Sequence, residues 1–178
     1  MKQNFLRKLC SAYAALTIVL FSTDVMATAT LTDLGNLGYS SSAYGVSDDG
    51  KVVVGEGQET NGGEYSAFKW TKSGGMTILG SLVTNSSPGE CNTSATGVSK
   101  DGKVIIGYSA TDSLESAVAR WVNDVVEELD STYSYNSYAY ATNRDGSVIA
   151  GYAYNDSSGN DSAMRAFIWN DSDKQITI

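Results

Sequence analysis

Apolar residues in this chain of 178 residues fall into short runs separated by turn residues, and no helical 3.6-residue stripe extends over ten or more positions. Two such runs extend from Ala43 to Ser47 and from Lys51 to Gly55, and the second is rich in β-branched residues, which favours strands. Between them, Asp48-Asp-Gly50 is typical of a tight turn, because glycine accepts a positive φ and aspartate binds nearby backbone amides. The pattern therefore predicts an all-β chain built from hairpins.

This hairpin segment of thirteen residues occurs three times, and each copy is followed by a tryptophan and then by a short apolar run. The copies begin at Ala43, Ala95 and Ala139, so the steps are 52 and 44 residues. The tryptophans are Trp70, Trp121 and Trp169. The apolar runs are Met76 to Gly80, Val125 to Leu129 and Gln175 to Ile178. Each repeat is thus expected to contain four short antiparallel strands.

Four strands in about 45 to 50 residues with one tryptophan per copy are typical of a β-propeller blade. We expect three blades, over approximately residues 38 to 82, 90 to 129 and 134 to 178, with the tryptophans in the core between blades. An extra strand is expected over residues 30 to 37, which align with the fourth strand of the first repeat. A solenoid of β-hairpins is the alternative architecture.

Three blades are fewer than the four to eight that close a propeller. The array is therefore expected to be partial or open, and two interpretations follow. Either the chain is a truncated piece of a longer repeat protein, which would have no independent activity, or it self-associates through its open blade edges.

The repeat resembles the bacterial extracellular HAF family, which is named for a His-Ala-Phe tripeptide. The resemblance rests on Ala-x-Gly-Val-Ser-x-Asp-Gly-x-Val-Val-Val-Gly, Ala-Phe-x-Trp and Gly-Met-x-x-Leu-Gly-x-Leu, and it covers residues 30 to 178. The histidine is replaced in Ser66-Ala-Phe68 and Arg165-Ala-Phe167, and the second repeat has Ala117-Val-Ala119. The resemblance implies the passenger portion of an autotransporter-like protein, with no shared catalytic residues.

Residues 1 to 27 have the pattern of a secretory signal, with a basic start, an apolar stretch from Ala12 to Phe21 and Val25-Met-Ala27 before the cleavage point. An exported protein at the cell surface, associated with the outer membrane or extracellular, is expected, and no segment is long enough for a transmembrane helix. Export leaves Cys91 either as a reduced thiol or in an intermolecular bridge. The net charge of −8 argues against nucleic-acid binding.

The composition argues against most hydrolase and nucleotide-using mechanisms. There is no histidine, which removes Ser-His-Asp and Cys-His arrangements, and no phosphate-binding glycine loop is present. No cofactor is expected. The turn aspartates Asp49, Asp101 and Asp145 offer oxygen ligands for calcium, but each turn supplies one or two of the six to eight ligands needed, so we interpret them as hairpin turns.

Tyrosines among Ser and Asn make an adaptable contact surface and can stack on sugar rings. The candidate binding face comprises Tyr133, Tyr135, Tyr138, Tyr152 and Tyr154. Tyr140 occupies the repeat position of Tyr44, so packing within the strands is the alternative interpretation of these tyrosines.

The sequence favours a non-enzymatic exported domain that binds a surface ligand, either protein or glycan. The alternative is a carbohydrate-active propeller fragment, which would need two carboxylates within about 5 to 10 Å of each other. Its candidate acids are Glu56, Glu59, Glu64, Glu115, Glu127 and Glu128.

Overall fold

The computed structural model describes residues 29 to 84, 91 to 113, 115 to 129, 136 to 154 and 164 to 177. The expected signal segment, residues 1 to 27, therefore lies outside the described residues. The chain divides into two units, Met1–Thr32 and Asp33–Ile178. Only residues 29 to 32 of the first unit are described, and they form neither strand nor helix. All of the strands described below belong to the second unit.

The described residues form twelve strands and no helix, arranged as three four-stranded antiparallel sheets in chain order, here called blades 1 to 3. Blade 1 comprises β1 (Ser40–Val46), β2 (Val52–Gln58), β3 (Ser66–Thr71) and β4 (Gly75–Ile78). Blade 2 comprises β5 (Thr93–Val98), β6 (Val104–Ala110), β7 (Ser116–Val122) and β8 (Val125–Glu128). Blade 3 comprises β9 (Ser137–Thr142), β10 (Val148–Tyr154), β11 (Met164–Asn170) and β12 (Gln175–Thr177). The prediction of about three four-stranded blades is confirmed.

The Asp-Gly turn closes the first hairpin of each blade through a repeated set of hydrogen bonds. In blade 1, the Ser47 hydroxyl donates to the Asp49 carboxylate at 2.8 Å and accepts from the Val52 amide at 3.1 Å. Gly50 has φ of 67° and donates its amide to the Ser47 carbonyl at 2.9 Å. Blade 2 repeats this arrangement, and in blade 3 the Asn143 side chain replaces the serine hydroxyl. Local chemistry therefore explains why this segment recurs.

A β-bulge in the first strand of each blade explains the glycine that ends the repeated segment. The pairing of first and second strands skips Tyr44, Thr96 and Tyr140 in the three blades. The glycines opposite are Gly55, Gly107 and Gly151. A Cβ atom at any of them would lie 1.9 Å from a carbonyl oxygen of the first strand. Only glycine allows this close approach of the two backbones.

Two apolar clusters join neighbouring blades. The first contains Val54, Ala67 and Leu79 of blade 1 with Ala95, Ile105, Ala119 and Trp121 of blade 2. The second joins blades 2 and 3 and includes Ile106, Val118, Ile149, Phe167 and Trp169. Trp121 and Trp169 are 0% and 1% exposed, as their predicted place in the core between blades requires. Trp70 is only partly buried and lies outside both clusters.

Hydrogen bonds also hold the blades in register with one another. The Ala67 amide in blade 1 donates to the Thr93 hydroxyl in blade 2 at 2.7 Å, and the Val118 amide donates to the Ser137 hydroxyl in blade 3 at 2.8 Å. At the turns, Asp48 donates its amide to the Lys100 carbonyl, and Lys100 donates in turn to the Arg144 carbonyl. Each blade therefore docks onto the next through one repeated geometry.

The prediction of an extra strand over residues 30 to 37 is wrong, since this segment forms no strand. A fourth strand needs a third strand to pair with, and β3, β7 and β11 are already paired with β4, β8 and β12. Local side chains satisfy the backbone instead, since Asp33 accepts from the Gly35 amide and Asn36 accepts from the Gly38 amide. The open, partial propeller nevertheless agrees with the sequence-based expectation.

Candidate ligand-binding cavity

Five tyrosines of blades 2 and 3 form one aromatic cluster, here called the tyrosine cluster: Tyr108, Tyr138, Tyr140, Tyr152 and Tyr154. The ring centroids of Tyr108 and Tyr138 are 4.9 Å apart, and those of Tyr140 and Tyr152 are 5.7 Å apart and nearly parallel. These separations are in the range of favourable aromatic pairs.

The structure brings together three of the five tyrosines of the predicted binding face: Tyr138, Tyr152 and Tyr154. Tyr133 and Tyr135 lie outside the described residues. The predicted binding face included neither Tyr108 nor Tyr140, although Tyr140 is 54% exposed. The repeat spacing in the sequence does point to Tyr140, because Tyr140 and Tyr44 share the repeat position that forms the bulge.

A cavity of about 350 Å³ shares Tyr108 and Tyr140 with the tyrosine cluster, whereas the predicted binding-face residues Tyr138, Tyr152 and Tyr154 are not among its described lining residues. Its described lining is Tyr44, Glu56, Ser94, Thr96, Tyr108 and Tyr140. The three bulge residues are all in this set, one from each blade. A bulge redirects its side chain away from the regular alternation of the strand. The same backbone irregularity, repeated three times, thus aims three side chains at one cavity.

Glu56 is the only carboxylate among the described lining residues. The Tyr44 phenol donates a hydrogen bond to it at 2.8 Å, and this bond, together with burial, raises the pKa of Tyr44 to about 12. Burial also raises the pKa of Tyr108, with a further contribution from the negative charge of Glu56. The phenols of Tyr44 and Tyr108 therefore remain neutral hydrogen-bonding groups at physiological pH.

The Thr96 hydroxyl is already used within the fold, because it donates to the Ala139 carbonyl at 2.5 Å and so ties the bulge of blade 2 to blade 3. The cavity consequently presents aromatic faces, phenol hydroxyls and one carboxylate. Such a lining can stack on a ring and donate or accept hydrogen bonds, and its volume is at the small end of ordinary ligand pockets.

The turn aspartates are occupied by their own hairpins. Hydrogen bonds from the Lys51 side chain and amide and from the Ser47 hydroxyl lower the pKa of Asp49 to about 2. The pKa values of Asp101 and Asp145 are lowered chiefly by hydrogen bonds from Ser99 and Ser147. Within the described ranges, no three or more Asp, Glu, Cys or His side chains are grouped so that they could hold a metal ion.

The other candidate acids lie apart from this lining. Glu64 lies on a second cavity of about 310 Å³, whose wall also includes Asp112 and the partly buried Cys91. Both Asp112 oxygens accept hydrogen bonds from Thr84, one from its amide and one from its hydroxyl. Glu127 forms an ion pair with Arg120. Asp112 and Glu127 therefore already have structural partners.

Three antiparallel four-stranded sheets that pack face to face, with β1 against β5 and β5 against β9, define an open part of a β-propeller. Among solved structures, the chain is similar to a putative TolB from Agrobacterium tumefaciens, with 18% identity and a TM-score of 0.58, over 78% of this chain and 48% of that one. It is also similar to TolB from Acinetobacter baumannii, with 18% identity and a TM-score of 0.52, over 79% of this chain and 32% of that one.

The chain thus spans about half and about one third of these two proteins, and at this identity the likeness shows the fold. No model of a known protein family matches the chain, and no curated protein matches it. A search of the described residues for a helix long and apolar enough to cross a membrane found none.

Proposed function

We propose that this chain is an exported, non-catalytic β-propeller domain of the bacterial cell envelope, and that its tyrosine-lined cavity binds a carbohydrate ligand. The single observation that carries the proposal is that three equivalent bulges direct Tyr44, Thr96 and Tyr140 toward one cavity. Inter-blade packing does not account for this arrangement, because Tyr44 and Tyr140 are 52% and 54% exposed.

The chemistry of the lining favours a sugar ring. Aromatic faces stack on the apolar faces of sugars, while phenol hydroxyls and a carboxylate hydrogen-bond to their hydroxyl groups. The acidic surface disfavours phosphate-rich and other anionic ligands. A neutral oligosaccharide is therefore the ligand class that these residues fit best.

The secretory pattern of residues 1 to 27 and the resemblance to HAF repeats support a passenger-like role at the cell surface. This part of the proposal is tested by expressing the full chain in a Gram-negative host and determining the amino terminus of the exported product by mass spectrometry. The expected terminus is Thr28. A product that stays in the cytoplasm with residues 1 to 27 attached would contradict export.

Ligand binding is tested by probing an array of neutral and charged oligosaccharides with the labelled mature chain. Removing the exposed ring with Tyr140→Ala is expected to weaken binding of the best neutral glycan by about 10-fold. Tyr39→Ala is the matched control, because Tyr39 is 52% exposed and lies outside the cavity lining. Glycan affinity that is unchanged by Tyr140→Ala, or an absence of glycan binding, would overturn the proposal.

The hydrolase alternative is distinguished in the same experiment. The lining offers Glu56 without a second described carboxylate, whereas glycoside hydrolysis uses a pair. We expect the bound oligosaccharide to be recovered intact. If a shorter oligosaccharide is released, and Glu56→Gln abolishes this release, the protein is a glycoside hydrolase instead.

A further inference from the structure

Each of the two outer faces of the three-blade array leaves exposed some residues whose equivalents are buried between blades, although Phe68 on the first strand's side of blade 1 is itself only 1% exposed. Blade 1 presents Ala43, which is exposed, whereas the equivalent residues Ala95 and Ala139 are both 0% exposed. Blade 3 presents Ala166, which is exposed, whereas its equivalent in blade 2, Val118, is 0% exposed. We call these the leading face of blade 1 and the trailing face of blade 3.

Both faces retain further apolar side chains. On the leading face, Val46 is 60% exposed, and it pairs with Val53 on the same side of the sheet. On the trailing face, Met164 and Ile168 alternate with Ala166 along β11 and are 42% and 44% exposed. Contiguous exposed apolar surface of this kind usually marks an interaction site.

The leading face also carries a docking hydroxyl that no preceding blade of the described chain uses. Ser41 occupies the repeat position of Thr93 and Ser137, whose hydroxyls accept an amide from the third strand of the preceding blade. The Ser41 hydroxyl donates to the Gly35 carbonyl at 2.9 Å, so its oxygen can still accept a hydrogen bond. The matching donor on the trailing face is the amide of Ala166.

Each of the two open faces lacks one member of the ion pair that is found at both interior interfaces. At both interior interfaces, a cation of the third strand meets an aspartate of the next blade's outer hairpin: Lys69 with Asp124, and Arg120 with Asp171. In blade 3, Ile168 replaces the cation, and the outer hairpin of blade 1, residues 71 to 75, contains no acid. Joining the open faces therefore buries no unpaired member of this pair.

From these matches we infer that the trailing face of one copy docks onto the leading face of a second copy, and the reverse, to form a closed two-fold dimer. Two copies of three blades bring together six, which is within the range of about four to eight that closes a propeller. The dimer would place the bulge residues of both copies around one central channel. This inference rests on the blade faces and is independent of the proposed glycan binding.

The test measures the mass of the full mature chain by sedimentation equilibrium across a range of concentrations. The expected result is a dimer with no larger species. Ala166→Arg on the trailing face and Val46→Lys on the leading face are each expected to weaken dimerisation by about 100-fold, because each buries an unpaired charge. Val125→Lys is the matched control, since Val125 is 69% exposed on β8, an outer strand.

Near-ultraviolet circular dichroism shows whether each variant keeps the packed environment of Trp121 and Trp169. A monomer at all concentrations would overturn the inference, and so would a dimer that both charged variants leave intact. Open-ended oligomers that grow with concentration would also contradict a closed ring. If the unmodified chain forms the dimer but binds no glycan, that result would count against the proposed function and not against dimerisation.

Discussion

Blade 2 and the two outer blades are built from the same repeat, but only blade 2 packs against a neighbouring blade on each of its faces. Its second strand has buried residues throughout Val104 to Gly107, and its tryptophan, Trp121, is 0% exposed. In blade 1, Trp70 is only partly buried, and in blade 3 the third strand exposes Met164 and Ile168. Burial in a repeat protein is therefore decided by the neighbouring repeat as well as by the residue itself.

The largest expected difference between the blades comes from their tryptophans. Trp121→Ala removes a fully buried side chain and its 2.7 Å hydrogen bond to the Gly80 carbonyl, and should lower the free energy of unfolding by about 3 to 5 kcal/mol. Trp70→Ala should cost less in the monomer, and its cost should increase with protein concentration if a second copy covers Trp70. Urea unfolding at two protein concentrations measures both effects.

The bulge glycines give the second comparison. Gly107→Ala places a Cβ 1.9 Å from the Ser94 carbonyl oxygen and should destabilise the fold by about 3 kcal/mol. Gly97→Ala is the control, because its Cβ would lie 3.3 Å from the nearest side-chain atom of Ile106 and 3.9 Å from the Tyr140 carbonyl oxygen, and the equivalent residue in blade 3 is already Ala141. Equal unfolding midpoints for the two variants would contradict the assigned role of the close backbone contact.

The two inter-blade ion pairs provide a smaller effect. Arg120 has a side chain only 8% exposed, stacks 4.5 Å from the Trp169 ring centre and pairs with Asp171 at 2.8 Å. Arg120→Ala should cost about 2 kcal/mol in unfolding free energy, since packing, cation–π and charge contacts are lost together. Lys69→Ala, whose side chain is 23% exposed, should cost about 1 kcal/mol or less. A larger loss for Lys69 would reverse this ranking.

The turn aspartates are expected to give the smallest effect, visible only in acid. The pKa of Asp49 is lowered in the folded chain to about 2, below its usual value of about 4. Its ionised form therefore stabilises the fold above pH 4, and this contribution is lost as the pH falls toward 2. Asp49→Asn should reduce the decrease of the melting temperature over this interval. An unchanged pH profile would mean that the turn hydrogen bonds do not contribute.

Hairpins, repeat number and blade type were predictable because they depend on local chemistry. The Asp-Gly turns, the β-branched second strands and the spacing of the tryptophans each act within a few residues. The extra strand over residues 30 to 37 was predicted wrongly, since its similarity to β4 says nothing about whether a third strand is available to pair with it.

The candidate site was only partly predictable for the same physical reason. The predicted residues Tyr138, Tyr152 and Tyr154 belong to the adjoining tyrosine cluster and not to the described lining of the cavity. The lining residues Tyr44, Glu56 and Tyr108 come from blades 1 and 2 and converge only when the blades pack together. The bulge at Tyr44, Thr96 and Tyr140 breaks the alternation from which strand patterns are inferred. The constant spacing of the glycine opposite each bulge is the feature of the sequence that indicates the bulge.

Pairing of the open faces is tested most directly by cross-linking cysteines at the docking positions. A short bifunctional thiol reagent is added to a variant that carries Ser41→Cys and Ala166→Cys, with Cys91→Ser to remove the native thiol. The interior pair Ala67→Cys with Thr93→Cys, where an amide and a hydroxyl meet at 2.7 Å, serves as the positive control. A covalent dimer from the first pair is the predicted result. Efficient cross-linking of the interior pair with none between copies would contradict the account.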